Sequence, residues 1–208
     1  MVFDINLRDD DFVKGIYDDS MSELDKFFGL GWNRNKPKVF LVPDRKTIDS
    51  LESKKTEDWV VGWGYQTDVY VLDYKNYEKE SSHKYSIEEY AALIMHELAH
   101  SFIHVITGFS SNVPTWLNEG LAIYLSGQNK FKKKPENLKN FLEYYNQGGM
   151  HVYGGSGFAV EFLVKTYGKE KILKVLKSLK GVDTKEKFSE LFKKTYGFEL
   201  KYESFKVL

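Results

Sequence analysis

The sequence predicts an α+β protein. Its N-terminal half mixes helices with a small twisted, mainly antiparallel-edged sheet, and its C-terminal half is all helix. Three observations carry this prediction. Runs dense in β-branched and aromatic residues, Lys38–Val42, Trp59–Tyr65 and Asp68–Asp73, are confined to the first third of the chain, and such residues suit a pleated, half-buried surface. Apolar residues at helical spacing occupy the rest, with no strand-like run after residue 86. Apolar residues make up 42% of the 208, enough to build a packed core.

The elements follow in order. Asp9 to Asp11 stand before Phe12, Val13, Ile16, Tyr17, Met21, Leu24, Phe27 and Phe28. That is an amphipathic stripe with acids in its first turn, and Gly29 and Gly31 lie beyond its end. Lys38–Val42 is a short buried strand stopped by Pro43-Asp44, and residues 46–54 look helical. Trp59–Tyr65 and Asp68–Asp73 form two strands joined by Gln66-Thr67. Residues 74–85 are polar and read as a loop. Ser86 and Glu89 have capping-box spacing and open a helix that runs to about Thr107, before Gly108. Pro114 opens a second helix, through Leu125. Further helices are expected over 135–146, 154–166, 168–180 and 184–195, with a short tail element after Gly197. Two subdomains follow, 1–107 and 108–208, with a cleft between them.

Composition excludes several functions. Lysine plus arginine number 30, as do aspartate plus glutamate, so no general attraction to nucleic acid or to an anionic membrane is expected. The absence of cysteine rules out disulfides and thiolate metal sites. No apolar run is long enough for a membrane span. The acidic start lacks the apolar stretch of a signal peptide, so a cytoplasmic location is expected.

One segment carries chemistry: His96-Glu97-Leu98-Ala99-His100. Residues four apart on a helix lie on one face, so both imidazoles can reach one metal ion while Glu97 touches water beside it. This chain's histidine and glutamate frequencies give about 0.01 expected chance matches to the pattern. Ala91 to Met95, Leu98, Ala99, Phe102 and Ile103 make the helix apolar nearly all round, and polar groups buried there need partners. A catalytic zinc keeps three protein ligands and one open position. Glu119, in Trp116-Leu117-Asn118-Glu119-Gly120-Leu121-Ala122, follows His100 after 18 residues. An antiparallel helix pair would bring it opposite the histidines, with Gly120 permitting close approach of the first helix. Trp116 is expected in the core between the two. One Zn2+ per chain is the cofactor expected.

These residues resemble the gluzincin metallopeptidases, nearest the branch of the aminopeptidases related to leukotriene A4 hydrolase and the smaller peptidase MA-like domains. Tyr153-Gly154-Gly155-Ser156-Gly157-Phe158 resembles the same pattern more weakly. The resemblance implies His96, His100 and Glu119 as zinc ligands, Glu97 as the general base, and a peptide or protein substrate. It also implies an oxyanion donor from the C-terminal part, for which Tyr153 is the first candidate and His151 the second. Departures matter. The glycine-rich amine-capturing signature of the aminopeptidases is missing, and Gly62-Trp63-Gly64-Tyr65-Gln66 stands in its place, which points to an endopeptidase. Ile123 stands where thermolysin-like enzymes carry an acid, so another group must orient His96.

The strand holding Gly62, Trp63 and Gly64 is a candidate substrate-binding element, since an extended peptide adds to an open strand and glycines let it approach. His104 is expected to be structural, His83 inert, and the Lys130–Lys134 cluster a solvated surface. Two other functions stay open: an aminopeptidase with an unusual amine site, and a non-catalytic binding module.

Overall fold

The computed structural model describes residues 6–149 and 151–208. It has the expected α+β architecture, with a three-stranded mixed sheet. Helix α1 (Asp11–Phe28) is capped by the Asp10 carboxylate and closed by Gly29 at φ 65°, a left-handed position where glycine has no steric penalty. Strand β1 (Val39–Val42), helix α2 (Arg45–Leu51), strands β2 (Gly62–Tyr65) and β3 (Asp68–Leu72) and the short helix α3 (Tyr77–Glu80) follow. The order across the sheet is β1-β3-β2. β2 is the antiparallel edge, whereas β1 runs parallel to β3. The expected antiparallel character therefore holds for one of the two ladders. The run from Trp59 is strand only from Gly62, and the polar loop 74–85 contains α3.

Helix α4 (Ile87–Ile106) is the spine of the molecule, and its Ser86–Glu89 cap forms as expected, Ser86 Oγ accepting from Glu89 N at 3.1 Å. Three hydrogen bonds fasten the sheet along it. Tyr90 Oη donates to Leu72 O at 2.9 Å, Ser101 Oγ donates to Thr67 O at 2.8 Å, and His104 Nδ1 bonds Gln66 O at 3.0 Å. β3 thus runs opposite to α4, and its buried Val69 and Val71 face the helix. His104 is structural, holding a turn in which Gln66 has φ 55°. His83 also has a bond, Nε2 to Trp59 O at 2.9 Å.

Helix α5 (Thr115–Leu125) returns from α4, then α6 (Val152–Tyr167), α7 (Lys169–Lys177) and α8 (Lys185–Tyr196) complete the chain. Residues 135–146 do not form the expected helix. Leu138, Phe141, Leu142 and Tyr145 are buried with helix-like spacing, but Asn140 sits at φ 66° in the middle of the stretch, a left-handed position that interrupts an α-helix, and only a 3-10 turn forms at Phe141–Glu143. A second 3-10 turn, Gln128–Phe131, follows α5. Gly120 is small for a different reason from the one expected. A Cβ there would lie 2.7 Å from Ser156 O and 2.8 Å from Val160 Cγ2, so the close approach is between α5 and α6. Trp116 is core, 1% exposed, yet it packs on Phe141, Phe188 and Phe205 and not between α4 and α5. One continuous set of buried side chains runs from Val13 to Phe205 across the boundary at 107/108. No helix among the described residues is long and apolar enough to cross a membrane.

Candidate metal centre

His96 and His100 share a face of α4 because they are one turn apart. Contacts with the returning chain run His100 to Asn118, then His96 to Glu119 and Gln128. The chain numbers rise on one side as they fall on the other, so α5 is antiparallel to α4. This brings Glu119 to the two imidazoles: its Oε2 lies 3.4 Å from His96 Nε2 and its Oε1 3.7 Å from His100 Nε2, and the two Nε2 atoms are 3.1 Å apart. Ligand atoms placed tetrahedrally around an ion at about 2.0–2.1 Å are roughly 3.4 Å apart, which these separations match. His96 and Glu97 are buried, each 7% exposed, in a helix otherwise lined by Ile94, Leu98, Ala99 and Phe102.

The tautomers sharpen the fit. His96 Nδ1–H donates to Gln128 Oε1 and His100 Nδ1–H to Asn118 Oδ1, both at 3.1 Å. With Nδ1–H engaged in this way, Nε2 is the ring atom that each imidazole turns to the centre, beside the Glu119 carboxylate. Three such groups drawn this close need positive charge among them, supplied by protons on the imidazoles or by a metal ion in their place. Of the described residues, His96, His100 and Glu119 are the group whose spacing could hold a metal ion. Imidazole and carboxylate donors suit zinc and its neighbours among the divalent transition ions.

Burial pushes the Glu97 carboxyl up to about 7, with His100 opposing and Glu119 adding to the rise. A carboxyl poised there can both accept and release a proton near neutral pH. Burial acts on Glu119 in the same direction, but the charges of His100, His96 and Lys132 and the His96 hydrogen bond outweigh it and hold this carboxyl at about 2. The two glutamates are thus separated by environment, one ionised throughout and one titrating near neutrality.

Gly62 lies directly over Glu97. A Cβ at this position would be 3.1 Å from Leu93 Cδ1 and 3.3 Å from Glu97 Oε1. Gly62 and Gly64 pair with Val71 and Val69 on the face of the sheet that looks toward α4. Trp63 does not. Alternation sends its side chain to the other face, where it stacks on Tyr70 at 5.2 Å, and Tyr70 stacks on Phe40 at 4.8 Å. Any role for Trp63 at the site therefore belongs to its backbone. The strand itself is aimed by Arg45, whose guanidinium donates to Val60 O at 2.7 Å, Asp58 O at 3.0 Å and Glu80 O at 2.9 Å.

Tyr153, in the first turn of α6, is 37% exposed. Burial raises its hydroxyl to about 12, with Glu119 and then Glu97 adding to the rise, so it lies within electrostatic range of the two carboxylates. His151 is exposed and its side chain makes no capping bond. The structure brings together His96, Glu97, His100, Glu119 and Gly62, sets Tyr153 within electrostatic range of the two glutamates, and turns the Trp63 ring to the other face of the sheet.

Sequence reasoning missed four residues. Asn118 had a signal, since it is polar, adjoins Glu119 and sits on an apolar helix. Gln128 fills the orienting role that Ile123 leaves open, but it follows the end of α5, where no periodicity marks it. Lys132 turns inward from the basic cluster, and Arg45 is one charged residue among many. Comparison with family models, with characterised proteins and with solved structures finds no match.

Proposed function

We propose that this chain is a zinc-dependent metallopeptidase of the gluzincin type, cutting within peptides. The observation that carries the reading is the convergence of two imidazole Nε2 atoms and the Glu119 carboxylate, with a second, titratable carboxyl at Glu97 beside them. A purely structural site closes all four positions and needs no such acid. Zinc would be held by His96, His100 and Glu119. When bound, it supplies Lewis acidity, polarising the scissile carbonyl and making a water molecule acidic enough to lose a proton near neutral pH.

The chain's own residues do the rest. Glu97 takes the proton from the attacking water and delivers it to the leaving nitrogen. Its burial, which discourages the charged form, favours uptake of that proton, and a carboxyl titrating at about 7 can still release it near neutral pH. Gln128 and Asn118 fix the imidazole tautomers. The open edge of β2 pairs with the backbone of an extended substrate, and Gly62 leaves room for that backbone above Glu97. Tyr153, whose hydroxyl keeps its proton well beyond neutrality, donates to the oxyanion. Cleavage within a peptide follows from the lack of an amine-capturing signature around Gly62–Gln66.

The test compares N-acetylated and free-amine forms of one fluorogenic peptide series with zinc-loaded protein. Cleavage of both forms at internal bonds is expected, with loss on chelation and recovery with zinc. Removal of single residues from free amines alone would turn the reading to an aminopeptidase. Absence of cleavage across a broad peptide library would end it.

A further inference from the structure

Lys132 behaves unlike its neighbours in the basic run. Lys130, Lys133 and Lys134 are exposed, whereas Lys132 is half-buried. Its Nζ donates to Tyr153 O at 2.7 Å and stands 6.0 Å from the centre of the Tyr153 ring. Burial lowers the Lys132 ammonium to about 8 while Glu119 pulls the other way, so the cation lies within electrostatic reach of the metal centre. Among the described residues it has no ion-pair partner, and the Tyr153 carbonyl is its one hydrogen-bond acceptor. An ammonium carries three N–H donors, and half-burying it without a counter-ion is costly. Glu119 is turned to the two imidazoles and acts on the ammonium through space, without a direct ion pair.

We propose that Lys132 binds a carboxylate of the substrate beside the metal centre, so that the site selects peptides carrying one near the scissile bond. The carboxylate is supplied by the peptide's C-terminus or by an aspartate or glutamate side chain. Cutting rests on the peptidase reading, whereas binding rests on Lys132 itself. The Tyr153 carbonyl holds the ammonium in place, leaving its other two N–H groups for the ligand.

The test uses three N-acetylated peptides of one sequence: a C-terminal acid with no acidic side chain, its C-terminal amide, and an amide with one internal Gln→Glu change. Each is titrated calorimetrically into zinc-loaded E97Q protein, and kcat/KM is measured with the wild type. A charge-assisted hydrogen bond predicts that at least one carboxylate peptide binds about tenfold or more tighter than the plain amide. Which one does so identifies the source.

Lys132→Met should reduce that preference to less than about twofold while leaving the amide's affinity and the zinc content unchanged. Lys132→Gln keeps a donor for Tyr153 O without the charge, so it should give the same loss and replaces Lys132→Met should that variant not fold. Lys132→Arg should retain the preference. A preference that survives loss of the charge, or equal weakening of acid and amide, would overturn the proposal. Tight binding of the acid without cleavage by the wild type would uphold the carboxylate site and defeat the peptidase reading. Cleavage with no preference for acid does the reverse, and neither binding nor cleavage defeats both.

Discussion

The α4–α5 hairpin and the irregular arm between α5 and α6 both build the candidate metal centre, but by different physics. In the hairpin, helical periodicity sets the positions: His96 and His100 align because they are a turn apart, and Glu119 meets them because a short connection folds α5 back along α4. In the arm there is no period. Gln128 reaches His96 and Lys132 reaches the Tyr153 carbonyl because a 3-10 turn leaves α5 and the chain then runs past the start of α6. The difference teaches that the three converging groups, and Asn118 behind His100, are set by regular structure, whereas Gln128 behind His96 and the Lys132 charge come from irregular chain.

Substitutions at the two regions should separate these contributions, and the largest effect belongs to the hairpin. Glu97→Gln should lower kcat by about 10³-fold or more while zinc content, read by elemental analysis, stays at the wild-type level. His96→Ala or Glu119→Gln should instead lose the metal itself. On the arm, Gln128→Ala should weaken zinc binding by about 10- to 100-fold in a competition titration with a chromogenic chelator. Asn118→Ala should act similarly on His100. If Gln128→Ala binds zinc as the wild type does, the arm is scaffold only.

Gly120 gives the comparison a stability control, because it faces α6 and not the ion. Gly120→Ala forces a Cβ against the Ser156 carbonyl and should cost about 1–3 kcal/mol in denaturant unfolding, without changing the zinc stoichiometry. The smallest expected effect is at the strand. Gly62→Ala crowds Glu97 by a few tenths of an ångström and should lower kcat/KM by about three- to tenfold, with thermal unfolding nearly unchanged.

What was legible in the sequence follows the same division. The capping box at Ser86, the α5 start after Pro114, and the α4–α5 ligand set could be read because local propensity and spacing determine them. The expected helix at 135–146 misled because Leu138, Phe141, Leu142 and Tyr145 mimic its period while a left-handed Asn140 breaks it. Trp63 misled because its neighbours Gly62 and Gly64 share its strand but not its face. The parallel pairing of β1 with β3, and Arg45 gripping the approach to β2, depend on contacts between residues 11 to 35 positions apart. No local pattern encodes them. Gly120 was correctly marked as a point of close approach, but the partner helix could not be read from its position.

Metal analysis of the purified protein, with and without the hairpin ligands, tests the convergence of His96, His100 and Glu119 most directly. The account predicts about one zinc per chain, lost from folded His96→Ala and Glu119→Gln proteins and kept in Glu97→Gln. A folded wild-type chain that stays metal-free after incubation with zinc, or a bound zinc indifferent to replacement of residue 119, would contradict it.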